Sequence, residues 1–191
     1  MRVLALQGSP RKKGNTDAVL TAVLDELKSK KAQVKKMHIA SMNVSGCSEC
    51  FTCQKSKKKP GCAVKDDMQK IYREMLKSDL VMFATPVFCW GMSAQLKASV
   101  DRCFAMCKFD EQMNYESLFE GKKTALVVTA GGPKEDGADA VVDWYKRFCK
   151  FMRTGKPNML VCASVETPSK IAEDKRLISR AKQFARKLVT K

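Results

Sequence analysis

The sequence has little of several things that would point to a function quickly. It has one histidine, His38, at the end of a weak apolar segment with nothing paired to it nearby. A lone histidine there reads as structural, and no role is assigned to it. No apolar run approaches the ~20 residues that cross a bilayer, so no membrane segment is expected. Met1-Arg2 leads into only a strand's length of apolar residues, so no signal peptide is expected and the default location is the cytoplasm. Neither G-x-G-x-x-G nor G-x-x-x-x-G-K-[ST] occurs. No helix-turn-helix, zinc-finger spacing or aromatic ribonucleoprotein motif is found. No repeat and no linker divides the chain.

What is present is an ordinary globular composition. The 191 residues suggest one domain, spanning 1–191, with an irregular cysteine-rich insert at about 41–66. Lysine and arginine number 36 against 20 acidic residues, a formal net charge of +16. Much of this lies in 28–36, in 55–59 and in the last twenty residues. Such runs favour anionic ligands, but without a recognition motif they read as solvated faces, and no specific nucleic-acid partner is expected.

The first stretch organises the rest. Arg2-Val3-Leu4-Ala5-Leu6-Gln7 is a short apolar run that stops at Gly8. Ser9-Pro10-Arg11-Lys12-Lys13-Gly14-Asn15-Thr16 follows, and a helical pattern begins at about Asp17. This predicts strand, phosphate loop, helix. Free N–H groups at a helix N-terminus favour a phosphate. Ser9, Asn15 and Thr16 can add donors, and Arg11 a charge. Asn15 follows Gly14 where a P-loop has its lysine, which argues against a nucleoside triphosphate and for a monophosphate. A capped βα turn is the plainer alternative.

Apolar segments then alternate in type. Residues 17–31 are helical, 34–39 a weak strand, and Asp66-Asp67 caps a helix to about Leu76. Residues 79–84 are a buried strand, and Ser93 caps another helix. Residues 108–121 are polar and irregular. Residues 124–128 form a strand, 138–152 a helix, 159–163 a strand and 171–188 a basic helix. Five such alternations predict an α/β fold: a flavodoxin-like three-layer sandwich with a five-stranded parallel sheet in order 2-1-3-4-5.

In that fold the loops after the first, third and fourth strands open on one side. The second of them, Thr85-Pro86-Val87-Phe88-Cys89-Trp90-Gly91-Met92, is aromatic, with a cis-capable proline. The third, Thr129-Ala130-Gly131-Gly132, is small and can offer backbone N–H groups to a flat ring edge. A ligand with a phosphate at one end and a large planar ring at the other suits all three, which describes FMN better than a dinucleotide.

Gly8-Ser9-Pro10-Arg11 with Gly14-Asn15-Thr16, then Thr85-Pro86-Val87-Phe88, then Ser93-Ala94-Gln95-Leu96-Lys97 with Asp101-Arg102, resembles the NAD(P)H-dependent FMN reductase family. The resemblance covers most of 1–132 and weakens after Pro133. It implies FMN, NAD(P)H as electron donor, and a homodimer or homotetramer. It implies that Ser9, Arg11, Asn15 and Thr16 hold the phosphate. Pro86, Val87, Phe88, Trp90, Gly91 and Met92 would flank the isoalloxazine, and Thr129, Gly131 and Gly132 would meet its pyrimidine edge. The protein would position and tune the cofactor, so no acid–base residue is named.

Cys47-x-x-Cys50-x-x-Cys53-x8-Cys62 resembles the iron–sulfur flavoprotein branch of that family, which implies a [4Fe–4S] cluster on these four residues. The last gap is longer than that branch's usual one and carries Lys55, Lys57, Lys58 and Lys59, which leaves open whether Cys62 reaches. Zinc, and free thiols or disulfides, are the alternatives. Cys103, Cys107, Cys149 and Cys162 read as core. The resulting expectation is an FMN oxidoreductase acting on a small acceptor: a quinone, a flavin, a nitro or azo compound, or oxygen. The alternative is a carrier relaying electrons between proteins, with ferredoxin as a partner.

Overall fold

A computed structural model describes residues 1–165, 171 and 173–189. In chain order the elements are β1 (Arg2–Gln7), α1 (Asn15–Ser29), β2 (Gln33–His38), α2 (Met68–Lys77), β3 (Leu80–Phe88) and β4 (Gly91–Met92). They continue as α3 (Ala94–Asp101), β5 (Cys107–Phe109), β6 (Tyr115–Ser117), β7 (Lys123–Thr129), α4 (Asp139–Phe151), β8 (Asn158–Cys162) and α5 (Lys175–Val189). The parallel sheet runs β2-β1-β3-β7-β8, the expected order.

Period-two alternation along the strands builds two cores. Leu4, Leu6, Val81, Phe83, Leu126 and Val128 face α2, α3 and α4. Val3, Ala5, Leu80, Met82, Ala125 and Val127 face α1 and α5. Both faces are covered, which is why these strands read as unbroken apolar runs.

The differences from the sequence reading are local. α1 begins at Asn15, two residues before the apolar pattern, because Gly14 already accepts from the Ala18 N–H at 2.9 Å. β3 runs on to Phe88 and turns back through Cys89 and Trp90 to pair with β4. Both turn residues have positive φ, 45° and 59°, the requirement of a tight two-residue hairpin turn. The Thr85–Pro86 bond is trans. The stretch read as irregular at 108–121 holds the β5–β6 hairpin. The strands of that hairpin have three residues each, too short to show a period. Asp110 closes its turn by accepting from the N–H groups of Gln112 and Asn114. The last helix was expected from Ile171; residue 172 lies outside the described residues, and α5 begins at Lys175.

Candidate functional site

The loop after β1 is held from beneath. The Gly8 N–H donates to Ala84 O at 2.7 Å, and Ser93 Oγ donates to Gly8 O at 2.6 Å. A Cβ at Gly8 would stand 2.6 Å from Leu96 Cβ, so glycine is required for α3 to pack this closely. Ser93 also caps α3, accepting from the Leu96 N–H at 3.3 Å. Gln7 Nε2 donates to the carbonyls of Arg11 and Lys12. His38 Nε2 lies 2.8 Å from Ser9 O; a carbonyl only accepts, so this nitrogen carries the proton. His38 therefore ties the end of β2 to the loop, a role its sequence position did not show.

The loop's donors divide into committed and available ones. Ser9 Oγ accepts from the Arg11 N–H at 3.2 Å, which leaves its own proton for a ligand. Thr16 Oγ1 and Thr129 Oγ1 lie 2.7 Å apart. One donates to the other, so one of the two protons remains. Asn15 Nδ2 donates to Val165 O at 3.1 Å. Asn15 Oδ1 is buried without a hydrogen-bond partner among the described residues. Asn15 thus keeps a second amide proton, as the sequence suggested, and adds an acceptor suited to a ligand hydroxyl. The first bond of α1 is Ala18 to Gly14, so the N–H groups of Asn15, Thr16 and Asp17 precede its ladder. Arg11 makes no ion pair among the described residues.

The three loops meet. One cleft of about 200 Å³ is lined by Ser9, Arg11, Asn15 and Thr16, by Pro86, Val87 and Phe88, and by Thr129 and Gly131. Gly14, Ala130 and Val165 line it too. Val165 gave no sequence signal, since it reaches the cleft only because β8 ends beside β7. A Cβ at Gly131 would meet nothing within 4 Å, so the protein's own packing leaves this wall open.

Trp90, Gly91, Met92 and Gly132 do not line this cleft. Trp90 is 69% exposed, and its Nε1 donates to Asp136 Oδ1 at 2.9 Å. Its backbone packs on Gly137, whose φ of +98° and 2.9 Å would-be contact with Trp90 Cα leave no room for a side chain. Gly132 O accepts from the Ser164 N–H, joining the β7 and β8 loops.

The cysteine loop forms a second site. Cys47, Cys50, Cys53 and Cys62 line one cavity of about 600 Å³, with Phe51, Phe104, Phe109 and Arg102 among its other walls. Among the described residues no group of three or more His, Cys, Asp or Glu side chains is arranged to hold a single metal ion. Hydrogen bonds from Thr52 and Ser48 lower the Cys50 thiol to about 7. Burial raises Cys53.

The loop is braced by a buried ion pair. Arg102 grips Asp66 with both terminal nitrogens, at 2.9 and 3.2 Å, and also reaches the carbonyls of Ser45 and Val64. Burial works against the Asp66 charge. The Arg102 bonds and the N–H groups of Ser45 and Met68 outweigh it, and the carboxyl falls below its ordinary range. Asp66 was expected to cap α2; it does accept from the Met68 N–H, and it holds Arg102 as well.

The family profile described as NADPH-dependent FMN reductase matches residues 1–166. An iron–sulfur flavoprotein of Archaeoglobus fulgidus is 34% identical over 136 residues, covering 71% of this chain and 58% of that one. The chain thus spans less than two thirds of that relative's length. An FMN-dependent NADH:quinone oxidoreductase of Pelagibacter ubique is 24% identical, covering 84% of this chain and 88% of that one. Among solved structures, an FMN-dependent NADH-azoreductase from Bacillus anthracis superposes with a TM-score of 0.70 at 13% identity, covering 99% of both chains. That likeness establishes the flavodoxin-like fold.

Proposed function

The chain belongs to the NADPH-dependent FMN reductase family, and we propose that it is an oxidoreductase taking electrons from NAD(P)H and giving them to a small acceptor. Quinones, free flavins, nitro or azo compounds and oxygen are the acceptor classes. The observation that carries this reading is the meeting of three separate loops in one cleft. FMN, when bound, supplies the hydride and electron chemistry.

The protein's part is to bind and orient. The hydroxyls of Ser9 and Thr16, the first N–H groups of α1 and the Arg11 guanidinium would hold the phosphate. Asn15 Oδ1 would accept from a ribityl hydroxyl. Pro86, Val87 and Phe88 would flank the ring, with Trp90, Gly91 and Met92 forming the hairpin above them. Thr129 and Gly131 would meet its polar edge, and Gly132, just outside the cleft, would hold that loop through its bond from Ser164. We read residues 1–191 as one FMN-binding domain with the insert at about 41–66. It would act in the cytoplasm as a homodimer or homotetramer.

The same reading gives Cys47, Cys50, Cys53 and Cys62 a [4Fe–4S] cluster. The four thiols around one cavity and the likeness to iron–sulfur flavoproteins support that reading. A second function follows from that cavity: relay of single electrons between protein partners, with an acidic ferredoxin drawn to Lys55, Lys57, Lys58 and Lys59. Anaerobically purified protein tests both readings. Rapid bleaching of the flavin absorbance by NAD(P)H is expected for the reductase. No bleaching with NAD(P)H, but reduction by ferredoxin, would favour the relay. Absence of a flavin spectrum in the protein fraction after FMN addition and gel filtration would end both.

A further inference from the structure

Lys108 is buried, 3% exposed, and forms no ion pair among the described residues. Its ammonium donates to Cys53 O at 2.9 Å and to Pro60 O at 3.0 Å. Those carbonyls stand at the two ends of the long excursion between the third and fourth cysteines. The residue making both bonds is on β5, outside the loop. It acts as an external clamp across the gap that left the reach of Cys62 in doubt.

Other contacts complete the closure. The Gln54 side-chain amide bonds both backbone groups flanking Lys108. Its Nε2 donates to Cys107 O at 3.0 Å, and its Oε1 accepts from the Phe109 N–H at 3.2 Å. Gly61, at φ +66°, turns the chain back so tightly that a Cβ there would stand 2.9 Å from Ser56 Cβ. Gln69 Nε2 then fixes the Cys62 and Val64 carbonyls at 3.2 and 2.8 Å.

The charge is the second part of the argument. A buried ammonium is costly unless a counter-charge stands nearby. Among the described residues Lys108 has only neutral carbonyls as hydrogen-bond partners, and Lys57 adds a like charge beside it. Burial pulls the ammonium's pKa down, and the thiols of Cys53, Cys62 and Cys107 act against that; Glu116, its exposed cross-strand neighbour on β6, forms no ion pair with it among the described residues. Arg102, the other buried cation here, lines the cavity and keeps a buried Nε without a partner among the described residues.

We propose that Lys108 is a positioning residue for the four-cysteine site: it clamps the Cys53–Cys62 excursion shut and sets a fixed positive charge beside an anionic group held by the thiolates. The charge half rests on the cluster reading above; the clamp half does not. A cation near a cluster stabilises its more negative, reduced form and so raises its potential.

The test uses the full chain, purified anaerobically, as wild type, Lys108→Met, Lys108→Gln and Lys108→Arg. Iron and sulfide per chain, the midpoint potential of the iron–sulfur absorbance, and alkylation rates of Cys53 and Cys62 in metal-free protein are read by titration and mass spectrometry. FMN occupancy and circular dichroism control for folding. Lys108→Met is expected to lose at least half the iron and to alkylate Cys53 and Cys62 about tenfold faster. Its remaining cluster should titrate at lower potential. Lys108→Arg should restore the potential in part. Native iron, potential and alkylation rates in Lys108→Met would overturn the proposal. If Lys108→Met does not fold, Lys108→Gln, which keeps an N–H donor and loses the charge, must show the lowered potential or the charge half is overturned. If wild type takes up no iron, the cluster reading fails together with the charge half, and the alkylation rates alone decide the clamp.

Discussion

Thr16 Oγ1 and Thr129 Oγ1 lie 2.7 Å apart across 113 residues of sequence, joining the first turn of α1 to the end of β7. This bond ties the β1 loop and the β7 loop, two walls of the cleft, into one rigid unit. Thr16→Val would leave the Thr129 hydroxyl buried and unpartnered, at a cost of about 1–3 kcal/mol, measurable by urea unfolding. FMN affinity should fall about tenfold, roughly 1.4 kcal/mol. Unchanged affinity would remove Thr16 from the phosphate set.

Gly131 separates binding from stability. A side chain there meets no protein atom within 4 Å. Gly131→Val should leave unfolding free energy within about 0.5 kcal/mol of wild type, while FMN binding, followed by quenching of flavin fluorescence, weakens about tenfold or more (about 1.4 kcal/mol). If binding is untouched, the β7 loop does not approach the ring.

Gly8 makes the opposite case. Its would-be Cβ meets Leu96 Cβ at 2.6 Å, Ser93 Oγ at 3.0 Å and Ala84 O at 3.1 Å, two of them on the rigid start of α3. Gly8→Ala is expected to destabilise by about 1–3 kcal/mol through overpacking. A thermal midpoint equal to wild type would show that α3 yields more easily than this packing implies.

Asp66 should dominate the acid limb of the cysteine insert. Its folded pKa lies below the unfolded value, so its contribution is fully present above the ordinary aspartate range and is lost as pH falls through the folded pKa. Asp66→Asn leaves Arg102 buried without its counter-ion and should cost about 3–5 kcal/mol at pH 7. The variant's stability should change less than that of wild type between pH 5 and pH 3 (roughly the span around an aspartate's ordinary value). Parallel acid limbs in the two proteins would show that the pair is not the titrating element.

Legibility in the sequence followed the range of the interaction. The Val3–Leu6 run, the apolar 80–84 run and the helical stripe of 18–27 each report their burial within a few residues, so the α/β alternation could be read and matched to the flavodoxin-like strand order. The β5–β6 hairpin escaped, because three-residue strands show no period and Lys108, a buried lysine, imitates a solvent-facing one. Asn15 escaped in another way. Its residue type says donor or acceptor equally, and Val165, 150 residues on, takes up one of its amide protons.

By itself, then, the sequence determined the α/β alternation, the glycine-bounded first loop, the aromatic and small loops after the third and fourth strands, and the four-cysteine spacing. These rest on local periodicity and turn chemistry, which act over a few residues. Only the tertiary structure decided that Thr16 meets Thr129, that Gly8 must clear Leu96, and that Arg102 and Lys108 hold the cysteine loop from outside it. Those pairings are made by packing between elements distant in sequence. A buried polar group must find a partner wherever the fold provides one, and no local pattern records where that will be.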